Sequence, residues 1–347
     1  MQQNKKDIRA LTKAQIRTFF EEQGDKAFRG NQVYEWLWQK SAHTFDEMTN
    51  ISLETRKKLE DTFVINHIEV DQMQRSSDGT IKNAVKLHDG LVVESVLIPT
   101  ETRTTACVSS QVGCSLDCKF CATARLKRMR NLNPDEIYDQ VVAIDQQSRL
   151  YFDRPLSNIV FMGMGEPLMN YNNVLKAIDK ITSEEGLGMS QKRITVSTSG
   201  VPKMIKKMAD EEVKFNLAVS LHSAIDDVRT SIMPFNATFP LKDLREALEY
   251  WYVKTKKRIT YEYVVWENIN DSQKDIDALV RFCKFAPSKV NLIEYNPIDD
   301  GMFQQASDSA LERYQKTLME NGITVTVRKS RGKDIDAACG QLANKAN

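Results

Sequence analysis

The sequence predicts an α/β protein: a mainly parallel sheet wrapped by helices, preceded by a small helical unit. Three observations carry this. Beyond about residue 104, short β-branched runs alternate with longer stretches of helical period. The stretch before about residue 80 instead carries apolar residues at helical spacing. Between them, two alternating runs, IKNAVKLH and LVVESVLI, flank Asp89-Gly90, a dipeptide suited to the positive φ of a tight hairpin turn.

In chain order, the first helices are expected over Ala14–Glu22 and Gln32–Lys40, on Ile16, Phe19 and Phe20 and on Val33, Trp36 and Leu37. The hairpin comes next, as a bridge to the larger unit. Strands are expected at Thr104–Ser109, Asn158–Met162, Ile194–Ser197, Asn216–Leu221, Ile259–Val265 and Val290–Tyr295, with a seventh, ITVTVR, after Gly322. One intervening helix begins at Asn133-Pro134-Asp135-Glu136: a capping Asn, Pro at the first helical position, then acids against the helix dipole. Six βα units imply a parallel sheet, either doubly wound or curled into a partial barrel. The expected division is a helical unit over 1–80, a hairpin linker over 81–99, the α/β core over 100–333 and a polar tail over 334–347.

Composition narrows the function. Net charge is +1, so any nucleic-acid site has to be a local patch. No signal peptide or membrane-crossing run is visible, which makes the cytoplasm the expected compartment. There, six cysteines point to thiol or metal chemistry rather than a disulfide framework.

The chemistry lies in CVSSQVGCSLDCKFC. Cys114, Cys118 and Cys121 form C-x3-C-x2-C after the first parallel strand. Three close thiolates suit three irons of a [4Fe–4S] cluster and leave the fourth iron for S-adenosylmethionine (SAM). A structural zinc site with Cys107 as fourth ligand is the plain alternative, but zinc sites usually pair two C-x2-C knuckles and only one is present. Strand ends supply candidate SAM contacts, because ligands of parallel α/β folds bind at the carboxyl ends of strands. They are Gly165 and Glu166, Ser197, Ser220 with Leu221 and His222, and Asn296. Each taken singly is more often a loop cap. Trp36 and Trp38 at helical spacing are more often core than base-stacking platforms, and Cys283 reads as packing.

Taken together, FRGNQVYEWLW, CVSSQVGCSLDCKFCAT, FMGMGEPL, ITVSTSG, SLH, YNP and GKDIDAACGQL closely resemble the RlmN family of radical-SAM RNA methyltransferases, from about residue 28 to Leu342. The resemblance implies a partial (βα)6 TIM-like radical-SAM barrel with a small helical N-terminal accessory domain that contacts RNA. It implies methylation of adenosine carbon 2 in 23S rRNA, and also in tRNA, with two SAM per turnover and one [4Fe–4S] cluster. A low-potential donor such as flavodoxin supplies electrons in such enzymes. The first SAM methylates a cysteine matching Cys339; the second gives the radical that activates that methyl group for addition to adenine. A cysteine matching Cys107 resolves the protein–RNA adduct through a transient disulfide, and a glutamate matching Glu94 is a general base. The SAM contacts implied are Gly165, Glu166, Ser197, Ser220, Leu221, His222 and Asn296.

One segment departs from the pattern. Lys127 stands where a glycine is expected, in a run holding Lys119, Arg125, Lys127, Arg128 and Arg130. Beside the cluster loop, this run is expected to contact phosphates. Two other readings are an adenine-C8 methylase of the related Cfr type and a zinc-dependent RNA-binding module without catalysis.

Overall fold

The computed structural model describes residues 5–298 and 301–344. Ten strands form one sheet: β1 (Glu69–Arg75), β2 (Ile81–Lys86), β3 (Val92–Pro99), β4 (Thr104–Cys107), β5 (Asn158–Phe161), β6 (Ile194–Thr198), β7 (Asn216–Ser220), β8 (Ile259–Val264), β9 (Ser288–Ile293) and β10 (Thr324–Arg328). They lie side by side in that order. Strands β4 to β10 are mutually parallel, while β1, β2 and β3 are added antiparallel at the β4 edge.

Ten helices accompany the described strands. The N-terminal unit holds α1 (Lys13–Glu22), α2 (Phe28–Trp38) and α3 (Leu53–Thr62). The core adds α4 (Pro134–Phe152), α5 (Tyr171–Thr182), α6 (Pro202–Asp210), α7 (Asp226–Ile232), α8 (Leu241–Thr255), α9 (Gln273–Cys283) and α10 (Asp308–Glu320). Six βα units therefore run from β4 to α10, and β10 closes the series. The sheet keeps two edges, β1 and β10, so the barrel is partial. None of the helices described is long and apolar enough to cross a membrane.

The local signals act as the sequence suggests. Asn133 and Glu136 form a reciprocal capping box at the start of α4, with the Asn133 N–H donating to the Glu136 carboxylate at 2.8 Å. Gly90 turns the hairpin at φ 82°, and Asp89 accepts from the Leu91 N–H. Two expectations need correction. The helical reading fails at Glu69–Arg75, which is the edge strand β1. Most of its residues are exposed, so the apolar alternation that marks a half-buried strand is missing. The hairpin, expected as a linker, is hydrogen-bonded into the main sheet through β3 and β4.

The helical unit is locked to the core through Arg9. Its guanidinium makes a two-pronged ion pair with Asp139 of α4, at 2.6 and 2.8 Å, with both side chains buried, and lies 4.9 Å from the Trp38 ring centroid. Trp38 is fully buried and meets Tyr138 edge-on at 5.1 Å; it is a core residue, unavailable for base stacking. Breaking a buried pair from one side leaves a charge without a partner, at about 3–5 kcal/mol. Arg9→Met is therefore expected to lower the urea midpoint sharply, and Arg9→Met/Asp139→Leu to recover most of the loss. Equal midpoints for wild type and Arg9→Met would refute this.

Candidate active site

The carboxyl ends of the parallel strands open on one cavity. The loop after β4 brings Cys114, Cys118 and Cys121 to its wall. Gly163, Gly165 and Glu166 follow β5, Ser197–Ser199 end β6, Ser220 and His222 end β7, and Asn296 follows β9. Sequence separations of up to about two hundred residues collapse into this cavity because each parallel strand delivers its carboxyl end to the same face.

The cysteine loop is held from several sides. The Cys121 N–H donates to the Cys118 carbonyl, the Lys119 N–H to Ile232 and the Ala122 N–H to Gly340. Leu116, Met233, Trp266, Tyr295 and Phe303 pack around Cys118, with Phe120 against them. Burial pushes the Cys114 thiol up to about 12 and the Cys118 thiol well above its ordinary value, and the neighbouring cysteines push the same way. Thiolates crowded like this need a positive partner. A [4Fe–4S] cluster fits, since it takes each thiolate on a different iron and is sheltered by the apolar shell.

The remaining wall suits SAM. Gly165 adopts φ 91°, and a Cβ there would lie 2.4 Å from the Gln111 side chain; only glycine allows this approach. Glu166 is buried and accepts the Leu168 and Ser199 N–H groups at 3.0 and 2.8 Å. Burial raises its pKa, against those hydrogen bonds. His222 has left-handed backbone (φ 56°), a conformation costing roughly 1–2 kcal/mol. Its Nδ1 accepts the Val264 N–H at 3.1 Å, and burial with Arg229 nearby lowers its pKa to about 3. The ring is thus neutral, with its proton on Nε2. Asn296 donates to the Cys339 carbonyl at 3.2 Å, while its buried Oδ1 has no protein partner, an acceptor awaiting a ligand donor.

The tail places Cys339 at this cavity. It is secured by the Ala122–Gly340 bond, by Thr123 Oγ1 donating to the Leu342 carbonyl at 2.7 Å, and by Gln341 Nε2 donating to Pro297. Gly340 turns the chain at φ 85°, against the Phe120 carbonyl. The Cys339 surface is accessible because it faces the cavities, yet protein surrounds it. Burial raises its pKa and Arg328 opposes that. Cys107 and Cys339 together line a second, adjoining cavity, and both are free thiols.

Two proposed site residues stand apart. Leu221 is buried outside both cavities and contributes backbone: its N–H donates to the Glu262 carbonyl. Glu94 also lies off the cavity walls. Its carboxylate accepts the Ala343 and Asn344 N–H groups at 2.8 and 3.2 Å and pairs with buried Lys82 at 3.5 Å. Within the basic run, Arg130 is paired with Asp89 and Glu136 at 2.6 and 2.7 Å, which corrects its reading as a phosphate ligand. Lys127 has ordinary backbone and bridges to Cys114. The glycine needed here is Gly113, at φ 73°, where a Cβ would lie 2.4 Å from the Lys127 carbonyl.

Two residues were missed. Glu262 is an acid within the buried strand ITYEYV; it faces the cavity and pairs with Arg328 at 3.5 Å. An acid in a central parallel strand was the available signal. Arg229 is fully buried and donates to the Leu221 and Ser199 carbonyls and to Asn236, bracing two strand ends; nothing in DDVRTSI marks it.

Known proteins resemble the chain along nearly its whole length. Residues 6–65 match the "Ribosomal RNA large subunit methyltransferase N-terminal domain" and residues 108–283 the "Radical SAM superfamily". A probable dual-specificity RNA methyltransferase RlmN from Christiangramia forsetii is 79% identical, over 99% of this chain and 97% of its own. The dual-specificity RNA methyltransferase RlmN of Geotalea uraniireducens is 44% identical, over 98% and 97%. The crystal structure of a radical SAM methyltransferase from Sphaerobacter thermophilus superposes with TM-score 0.91 at 37% identity, covering 97% of this chain and 99% of that one. The chain belongs to the RlmN family of radical-SAM methyltransferases.

Proposed function

We propose that the protein methylates carbon 2 of adenosine in 23S rRNA and in tRNA, using Cys339 as the intermediate methyl carrier and two SAM per turnover. One observation carries the reading: Cys339 lines both the cavity of the three cluster cysteines and the cavity of Cys107. The names of the relatives, dual-specificity RNA methyltransferases, support the substrate class.

Cys114, Cys118 and Cys121 would hold the cluster, and Glu166, Ser197, Ser220, His222 and Asn296 would hold SAM beside it. The cluster and SAM held there would supply one-electron reductive chemistry. Carbon 2 of adenine is electron-poor and is no nucleophile for a SAM methyl, so the methyl group is carried on the Cys339 sulfur instead. Neutral His222 donates from Nε2 without adding positive charge near a cationic ligand. The apolar shell of Leu116, Trp266 and Phe303 excludes water. Cys107 then attacks the Cys339 sulfur of the protein–RNA adduct. The electrons of the sulfur–carbon bond stay with carbon, which takes up a proton, and the two cysteines are left as a disulfide for cellular thiols to reduce. Glu94 serves in this reading by docking the tail; a base role requires Ala343 and Asn344 to release its carboxylate first. A low-potential donor such as flavodoxin supplies the electrons.

The test is nucleoside analysis after parallel reactions with deproteinised 23S rRNA and with tRNA. We expect 2-methyladenosine in both. An 8-methyl product would reassign the target carbon, and unmodified RNA in both reactions would overturn the reading.

A further inference from the structure

The two cavities that meet at Cys339 have opposite electrostatic character. The cluster-side cavity presents Glu166, Glu262 and Glu294 and neither Lys nor Arg among its described lining residues. The Cys107-side cavity presents Arg103, Arg328, Lys329 and Arg331 and neither Asp nor Glu. Nearby carboxylates are already engaged. Glu294 pairs with Lys333 at 2.5 Å and accepts the Ser330 N–H. Asp78 accepts the Gly332 N–H at 2.9 Å, and Glu262 faces Arg328. These bonds fix the 328–332 segment at the rim, where Lys329 lines the acid-free cavity and also acts on Glu294.

We propose that the Cys107-side cavity is the entry site for the target nucleotide, with Arg103, Lys329 and Arg331 gripping the RNA phosphates that flank it. The inference deepens the RNA-methyltransferase reading and rests on it. A sulfonium and an ammonium favour the carboxylate-lined cavity; a polyanion favours the cationic one. Arg103 precedes β4 and the 329–331 segment follows β10, so strands far apart in the sheet supply opposite sides of the rim. Arg offers the planar fork that matches a phosphate's paired oxygens. A nucleotide held by its phosphates at this rim extends its base toward a floor where Cys107 and Cys339 lie, the two groups its chemistry requires. Arg328 is set apart from the grip, because it is occupied by Glu262 and acts on Cys339.

The test compares wild type, Arg103→Gln/Lys329→Gln/Arg331→Gln and the charge-preserving Arg103→Lys/Arg331→Lys. Two readouts separate RNA binding from the rest: tRNA affinity as a function of salt, and S-methylation of Cys339 in protein incubated with SAM alone. The neutralised variant is expected to bind tRNA about tenfold more weakly, with a salt slope flattened by roughly two to three phosphate contacts. It should load Cys339 as wild type does, and the lysine variant should retain most of the affinity. Unchanged affinity and slope would overturn the proposal, as would lost Cys339 loading, which would mean that the segment only supports the tail. If wild type loads Cys339 but methylates neither RNA, the function reading itself has failed, whatever the rim variants do.

Discussion

Cys107→Ala is expected to stop after one chemical event, leaving a protein–RNA adduct that survives denaturation and disappears with nuclease. The expectation follows from the shared cavity of Cys107 and Cys339 and from the need for a second thiol to break the sulfur–carbon bond. Burial pushes the Cys107 thiol up to about 12, with Arg328 pulling it slightly back. At neutral pH it is therefore protonated, and it has to lose that proton as it attacks. Loss of the resolving thiol should lower turnover by roughly three orders of magnitude, the scale of a positioned catalytic group. Cys339→Ala should make neither methylated RNA nor adduct while retaining its iron, and mass spectrometry of the wild-type tail peptide should find a methyl group on Cys339. Normal turnover by Cys339→Ala, or no adduct with Cys107→Ala, would refute the thioether route and leave the radical-SAM assignment standing.

Cys118→Ala is expected to abolish iron loading and activity together. Cys118 is the most deeply buried of the three loop cysteines, enclosed by Leu116, Met233 and Trp266, so water would not readily replace its thiolate. Cys114→Ala and Cys121→Ala should also lose the cluster, because one missing thiolate leaves a second iron open and the cubane labile. Cys283 provides the control. It is buried in α9 and lines neither cavity of the site, and Cys283→Ala should keep full iron and sulfide content after anaerobic reconstitution, with a stability loss of about 1 kcal/mol. Full iron loading in any of the three ligand variants would refute the cluster assignment.

Much of this was legible in the sequence, for identifiable reasons. The parallel strands announced themselves as β-branched runs because both faces of such a sheet are buried, and Asn133-Pro134 marked a helix start because capping chemistry is local. The proposed cluster ligands stood out because three thiolates that share one cluster from a single loop need a fixed spacing. What stayed hidden depends on contacts between distant segments. Arg9 and Asp139 are 130 residues apart, and neither carries a local sign of its partner. Glu94 read as a catalytic base by resemblance, whereas its carboxylate is spent on N–H groups at the far end of the chain. Arg130 looked like a member of a free basic run until Asp89, across the hairpin turn, closed on it. Charge along a sequence shows which groups exist; only the fold shows which are already neutralised.

The outermost ties of the tail are Asp78 at the Gly332 N–H and Glu94 at the Ala343 N–H, with further bonds at Gly340 and Leu342 shortening the span between them. Between these knots Cys339 is a bead on a short closed cord. In the proposed cycle, a thiol that visits first SAM, then adenine, then Cys107 does not diffuse freely between encounters; it sweeps only the small volume that the cord allows. Such confinement raises its effective concentration at every stop into the millimolar range or above, and the entropy of closing the loop is lost once, on folding, rather than at each step. Loosening either knot would spread the same thiol over a larger volume, slowing all three encounters together even though no group that touches substrate had changed.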